Sequence, residues 1–157
     1  MKAFRVRAAL AGDLADVVVL ERATQEAPHW AEVEYAAMVG GDGVDYVRRR
    51  LFVAEGEGGL IGFAVGKVVG PLAELESVAV DPGARRGGVG RALCGAVMEW
   101  CNGQGAVAVE LEVRAASEGA IALYRGQGFV EVGRRPRYYS GPVDDAVLMR
   151  LDLMGLA

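Results

Sequence analysis

Leu75-Glu76-Ser77-Val78-Ala79-Val80-Asp81-Pro82-Gly83-Ala84-Arg85-Arg86-Gly87-Gly88-Val89-Gly90-Arg91-Ala92-Leu93 is the most informative run in the chain. It reads as a strand, a sharp turn at Asp81-Pro82, a basic glycine-rich loop and then a helix. That order leaves unpaired backbone N–H groups at a helix N-terminus with arginines beside them, which is a site suited to phosphates. Glycines at 87, 88 and 90 let the backbone approach a pyrophosphate, and Arg85, Arg86 and Arg91 supply charge-assisted hydrogen bonds. An ordinary glycine-rich turn flanked by surface arginines is the competing reading. A dinucleotide fingerprint is excluded, because Gly88-Val89-Gly90 is followed by Arg91-Ala92-Leu93 and lacks the third glycine. A Walker A loop is excluded too, since no GxxxxGK[ST] run occurs.

Outward from this loop the chain reads as alternating strands and helices. Phe4–Arg7 alternates as a first strand, and Asp13 is placed to cap a helix through Leu20 that breaks at Pro28-His29-Trp30. A short helix is expected over 31–38, followed by Gly40-Gly41. Leu51–Ala54, Leu60–Val69 and Ala73–Val80 form a three-strand meander with turns at 56–59 and 70–71. Val89 to Trp100 carries apolar residues at helical spacing and stops at Asn102-Gly103. Residues 107–114 alternate as a fifth strand, with Val109, Leu111 and Val113 on one face and Glu112 on the other. Ser117 is expected to cap a helix through Tyr124, which Gly126-Gln127-Gly128 ends. Strands over 129–132 and 146–153 then close the chain. The order β-α-α-β-β-β-α-β-α-β-β is that of a single α/β domain over 1–157 with a mixed sheet.

Composition narrows the function. The chain has 157 residues, 52% of them hydrophobic, and a net charge of −4, which argues against a general nucleic-acid binder. The local clusters Arg48-Arg49-Arg50 and Arg134-Arg135-Pro136-Arg137 read as solvated surface. Cys94 and Cys101 fall two helical turns apart, too far for a disulfide, and read as small core residues of a reducing compartment. One histidine and no CxxC pair give no metal site. Without a signal peptide or a membrane-length apolar run, a cytoplasmic protein with no membrane partner is expected.

The run from Leu75 to Leu93 resembles the acetyl-CoA-binding motif of the GNAT acyltransferase superfamily. Leu111-Glu112-Val113-Arg114, Ala122-Leu123-Tyr124, Gly128-Phe129-Val130 and Tyr138-Tyr139 are similar to the branch of bacterial ribosomal-protein alanine N-acetyltransferases. His29-Trp30-Ala31-Glu32 resembles a Pro-Trp-Ser-Glu segment that this branch carries near its substrate groove. The resemblance implies a mostly antiparallel sheet of about seven strands flanked by about four helices. It implies acetyl-CoA as donor, with no metal, and direct transfer to the N-terminal alanine of a protein, small-subunit ribosomal protein 18, by a monomer or homodimer. A small-molecule amine acceptor, such as an amino acid or antibiotic, and a non-catalytic CoA-binding module are the alternatives.

The same resemblance assigns residues. Val78 and Val80 would bond the pantetheine arm and thioester carbonyl from a strand bulge, and Arg85, Arg86, Gly87, Gly88, Val89, Gly90 and Arg91 the pyrophosphate. Glu112 would be the base and Tyr124 the acid for the departing thiolate. Glu112 paired with Arg114 is the bland alternative, and Glu74 and Glu76 on the third meander strand are rival bases. Trp30, Glu76, Tyr138 and Tyr139 would line the acceptor groove, while His29 reads as a turn residue. Two departures from the family stand out: Ser117 replaces an Asn that often contacts CoA, and the segment between Tyr139 and Asp145 is shorter than in well-known members.

Overall fold

A computed structural model describes residues 3–40 and 46–153 of the chain; Gly41, which the sequence places after the second helix, lies outside them. Seven strands form one sheet: β1 (Arg5–Ala8), β2 (Val47–Gly56), β3 (Gly59–Val69), β4 (Leu72–Val80), β5 (Ala108–Arg114), β6 (Val130–Tyr139) and β7 (Asp144–Asp152). Their order is β1-β2-β3-β4-β5-β7-β6. Every neighbouring pair is antiparallel except β4–β5. That pair is parallel because α3 (Val89–Gly103) carries the chain back between them. The helices are α1 (Leu14–Ala23), α2 (Glu32–Ala36), α3 and α4 (Glu118–Gly126). The element order matches the sequence reading, as does the fold class.

Two apolar layers clamp the sheet. On one face α3 buries Val89, Leu93, Cys94, Val97 and Cys101 against Ala64, Val68, Leu75 and Leu111, and Leu123 and Tyr124 of α4 pack on the same cluster. Each buried Val or Leu contributes about 1.5–3 kcal/mol. On the other face Val17 of α1 and Tyr35 of α2 cover Leu51, Val53, Phe63 and Val65. Both cysteines are buried free thiols, and burial pushes each up to about 12.

Several local expectations need correction. Asp13 does not cap α1. Its carboxylate accepts from the Leu10 N–H at 2.8 Å and pairs with Arg7 at 2.7 Å, so it closes the 3-10 turn before the helix. Ser117 stands at the start of α4 with no side-chain cap bond; the turn before it is held instead by Asp144, which accepts from the Ala116 N–H at 2.9 Å. The second helix ends at Ala36 rather than at 38, and α3 runs on through Gly103. β2 and β6 each have 10 residues, longer than the expected runs, because their polar and basic ends lie along neighbouring strands.

Candidate active site

The strand β4 is bulged. Val65 of β3 pairs with Ser77 and the next residue, Gly66, pairs with Leu75, so Glu76 is the extra residue. A bulge bends its strand and increases the local twist. The parallel partner then separates: β4 and β5 pair only at Leu72–Ala108, Ala73–Val109 and Glu74–Glu110. Beyond Glu74, from the bulge to Val80, the edge of β4 that faces β5 has no partner strand. The bulge was not legible from the sequence, because Leu75–Val80 alternates as an ordinary strand would.

The glycine loop follows at the open end of this split. Pro82–Ala84 makes a 3-10 turn in which Asp81 accepts from the Gly83 N–H at 3.3 Å. Left-handed backbone falls on Arg86 (φ 68°) and Gly88 (φ 84°), and Gly88 leads into α3. A side chain at Gly88 would be strained whatever the space around it, so glycine is needed there for conformation. Gly90 is needed for a different reason, since a Cβ there would lie 3.2 Å from Leu123 Cδ2; its absence lets α3 approach α4. Val89 is buried in the core, which leaves only its backbone free to meet a ligand. Arg85 donates to the Val80 carbonyl at 3.3 Å, whereas Arg86 and Arg91 are exposed beside the helix start. Unpaired strand edge, left-handed turn, helix N-terminus and exposed guanidinium groups together fit an extended molecule ending in a pyrophosphate.

Across the split stands Glu112, two residues beyond the last β4–β5 pair and on the face away from α3. It does not pair with Arg114, whose guanidinium donates to the Ser140 and Pro142 carbonyls and lies 4.5 Å from the Tyr139 ring centroid. Glu112 meets Arg135 instead, at 3.5 Å. Arg135 also lies 5.6 Å from the Tyr138 ring centroid, and Tyr138 packs edge-on against Tyr139 at 5.1 Å. The β6–β7 hairpin thus brings Tyr138 and Tyr139 to the side of Glu112. Arg134 pairs with Glu131 at 3.1 Å, so this basic cluster is tied by specific contacts.

A groove of about 300 Å³ opens beside Glu112, lined by Lys67, Glu74, Glu110, Arg135, Leu148 and neighbours. Lys67, Glu74, Glu110 and Arg150 sit in register on four adjacent strands, two carboxylates side by side with a cation at each end of the row, and the first three line the groove. Burial, with Glu76 close by, raises the Glu74 carboxyl above its ordinary range. Glu76 is held differently: Arg49 Nε and Nη2 grip its carboxylate at 3.1–3.2 Å, Lys67 lies 3.8 Å away, and only 7% of its side chain is exposed. Arg49 in turn lies 6.0 Å from the Trp30 ring centroid. The other arginines of that cluster are engaged too: Arg48 donates to Gln104, and Arg50 stacks 5.9 Å from the Trp100 centroid.

Tyr124 of α4 packs on Phe129 at 6.0 Å, its hydroxyl bonded to no described residue. Burial first, then Cys94 and Tyr139, push its phenol above the ordinary range, so the hydroxyl keeps its proton at neutral pH. The structure therefore brings Glu112, Tyr138 and Tyr139 together on one side of the split and Trp30 and Glu76 on the other. Lys67, Arg49, Glu110 and Arg135 were missed by sequence reasoning, since nothing in the chain marks which strands face each other. His29 is the turn residue expected, with φ 55° and Nε2 3.0 Å from the Thr24 carbonyl. Among the described residues, no helix is long and apolar enough to cross a membrane, and no cluster of three or more His, Cys, Asp or Glu is arranged to hold a metal.

Known proteins share this fold. The model of the acetyltransferase (GNAT) family matches residues 18–129. The [ribosomal protein bS18]-alanine N-acetyltransferase of Escherichia coli is 35% identical over 126 residues, which cover 79% of this chain and 81% of that protein. An uncharacterized protein of Mycobacterium leprae is 49% identical over 77 residues, 49% of this chain but only 21% of that longer protein. The crystal structure of the Escherichia coli ribosomal-protein alanine N-acetyltransferase superposes with a TM-score of 0.79 at 31% identity, covering 96% of this chain and 94% of that one. The chain belongs to the GNAT family of N-acetyltransferases, whose members take the acetyl group from acetyl-CoA.

Proposed function

We propose that the chain is one acetyltransferase domain that acetylates the N-terminal alanine of a protein, small-subunit ribosomal protein 18, by direct transfer in a ternary complex. The observation that carries this reading is the position of Glu112, just past the point where β4 and β5 part, with Tyr138 and Tyr139 on its flank. The similarity to relatives named for ribosomal-protein alanine acetylation supports the acceptor.

The α3 N-terminus, Gly87, Gly88 and the backbone of Val89, with Arg85, Arg86 and Arg91, would hold the pyrophosphate of acetyl-CoA. The free edge of β4 at Val78 and Val80 would hold its pantetheine arm, and Ser117 would add a contact from α4. Bound there, acetyl-CoA supplies an acyl group on a thioester. Trp30 and Glu76 on one side, and Tyr138 and Tyr139 on the other, orient the acceptor. Glu112 Oε accepts a proton from the acceptor amine, directly or through one water. The Tyr124 hydroxyl gives its proton to the departing sulfur. Cys94 and Cys101, buried and protonated at neutral pH, offer no nucleophile for an acyl-enzyme, which favours direct attack.

Mass spectrometry of a peptide carrying the N-terminal sequence of ribosomal protein 18, incubated with acetyl-CoA, tests the proposal. One added acetyl group at the α-amine is expected. A folded enzyme that binds CoA yet leaves the peptide unmodified and acetylates free amines overturns the acceptor.

A further inference from the structure

Among the described residues one charged side chain is fully buried: Glu21, at 0% exposure on α1. It occupies the turn after Val17, on the apolar stripe of the helix, where a carboxylate is costly unless every oxygen is satisfied. Its partners lie on α1, on α2 and in the loop that joins them. The Trp30 N–H donates to Oε2 at 3.0 Å, and the Tyr35 hydroxyl donates to the same oxygen at 2.7 Å. Arg22 Nη1 donates to Oε1 at 2.8 Å, while its Nη2 donates to the Trp30 carbonyl at 2.8 Å. His29 Nε2 stands 3.7 Å from Oε1.

Both backbone polar groups of Trp30 are therefore fixed by one ion pair. The indole is fixed as well, 5.6 Å from the Tyr35 ring and 6.0 Å from the Arg49 guanidinium that grips Glu76 at the bulge. Packing alone would be served by Leu or Met at position 21. A buried charge whose partners converge on a single loop residue specifies a position for that residue.

We infer that Glu21 is a positioning residue for the acceptor: with Arg22 and Tyr35 it holds Trp30 and, through Arg49, the Glu76 side of the groove. This rests on the reading above that the acceptor enters beside Trp30. The glycine loop and Glu112 are built from other elements, so the donor side is independent of Glu21.

Steady-state kinetics of Glu21→Gln and Tyr35→Phe, on whichever acceptor the wild-type enzyme turns over, test the inference. Glu21→Gln is expected to raise the acceptor KM about tenfold or more, with the acetyl-CoA KM and the kcat at saturating acceptor changed less than about twofold. Tyr35→Phe, which removes one bond and keeps the ring, gives a smaller rise of the same kind and serves if Glu21→Gln does not fold. Hydrogen exchange at the Trp30 amide is expected to quicken in Glu21→Gln. Unchanged acceptor KM in a folded variant, or equal rises in both KM values, overturns the inference. Wild-type turnover of a small amine but not of the peptide overturns the acceptor proposal alone, and the same comparison of KM values on that amine still decides the role of Glu21.

Discussion

Arg135, on β6, reaches past β7 to bring its Nε within 3.5 Å of Oε1 of Glu112 on β5. The two residues belong to strands that never pair, and the contact is half-exposed, so it contributes at most about 1 kcal/mol to stability. Its consequence is positional, since it holds the carboxylate at the mouth of the split. Glu112→Gln is expected to lower kcat by about 10²–10⁴-fold, the usual value of a general base, with acetyl-CoA affinity unchanged. Arg135→Gln should cost much less activity and move Tm by no more than about 2–4 °C. Initial-rate kinetics and a thermal melt on both variants separate these effects. An active Glu112→Gln enzyme would transfer the role of base to Glu74.

Tyr124 keeps its ring against Phe129 and leaves its hydroxyl without a partner among the described residues. Tyr124→Phe therefore removes a proton donor without opening a cavity. We expect kcat to fall by about 10²-fold while Tm stays within the scatter of replicate melts. If acetyl-CoA KM rises instead and kcat is preserved, the hydroxyl binds the donor rather than protonating the sulfur.

The strands and helices were legible because periodicity records which face is buried: Val109, Leu111 and Val113 alternate with Glu112, and Val89, Leu93 and Val97 repeat at helical spacing. The glycine-rich turn from β4 into α3 was legible because its glycines and arginines are contiguous. The surroundings of Glu112 and Glu76 were not, because they are assembled from residues far apart in sequence. Arg49 meets Glu76, Lys67 faces Glu74, and Arg135 reaches Glu112 only once strand order and register are set. Charge clusters misled for the same reason: Arg48-Arg49-Arg50 reads as a solvated run, yet its members alternate across the sheet to three separate partners. Glu21 did leave a trace, a carboxylate on the apolar stripe of α1, which marks a buried partner without naming it.

Two glycines inside β3 show how tightly α3 sits on the sheet. A Cβ at Gly66 would lie 2.8 Å from Val97 Cγ1 and 3.2 Å from the Trp100 ring, and one at Gly62 would lie 2.9 Å from the Ala79 carbonyl oxygen. Gly62→Ala meets backbone, which cannot swing aside, whereas Gly66→Ala meets side chains that can give. Both are expected to destabilise by about 1–3 kcal/mol, with Gly62→Ala the worse. Urea unfolding measures the difference, and the reverse order would mean that β4 gives way at Ala79 more easily than Val97 and Trp100 of α3 do.

Glu74 sets a pH dependence whose sign follows from its surroundings. Burial and the neighbouring Glu76 raise its carboxyl in the folded protein, against the opposing pull of Lys67. In the unfolded chain a glutamate titrates near pH 4.3. Between that value and the raised folded one, the native state binds more protons than the unfolded state. Stability therefore falls as pH rises through this window, and the penalty is complete above it. Glu74→Gln removes the ionisable group while keeping its size. The variant is expected to be more stable than wild type at pH 7–8, with the advantage shrinking on acidification and gone below about pH 4. Paired denaturant titrations across that range measure it. A Glu74→Gln protein less stable than wild type at pH 7 would show that the Lys67 attraction outweighs desolvation at this position.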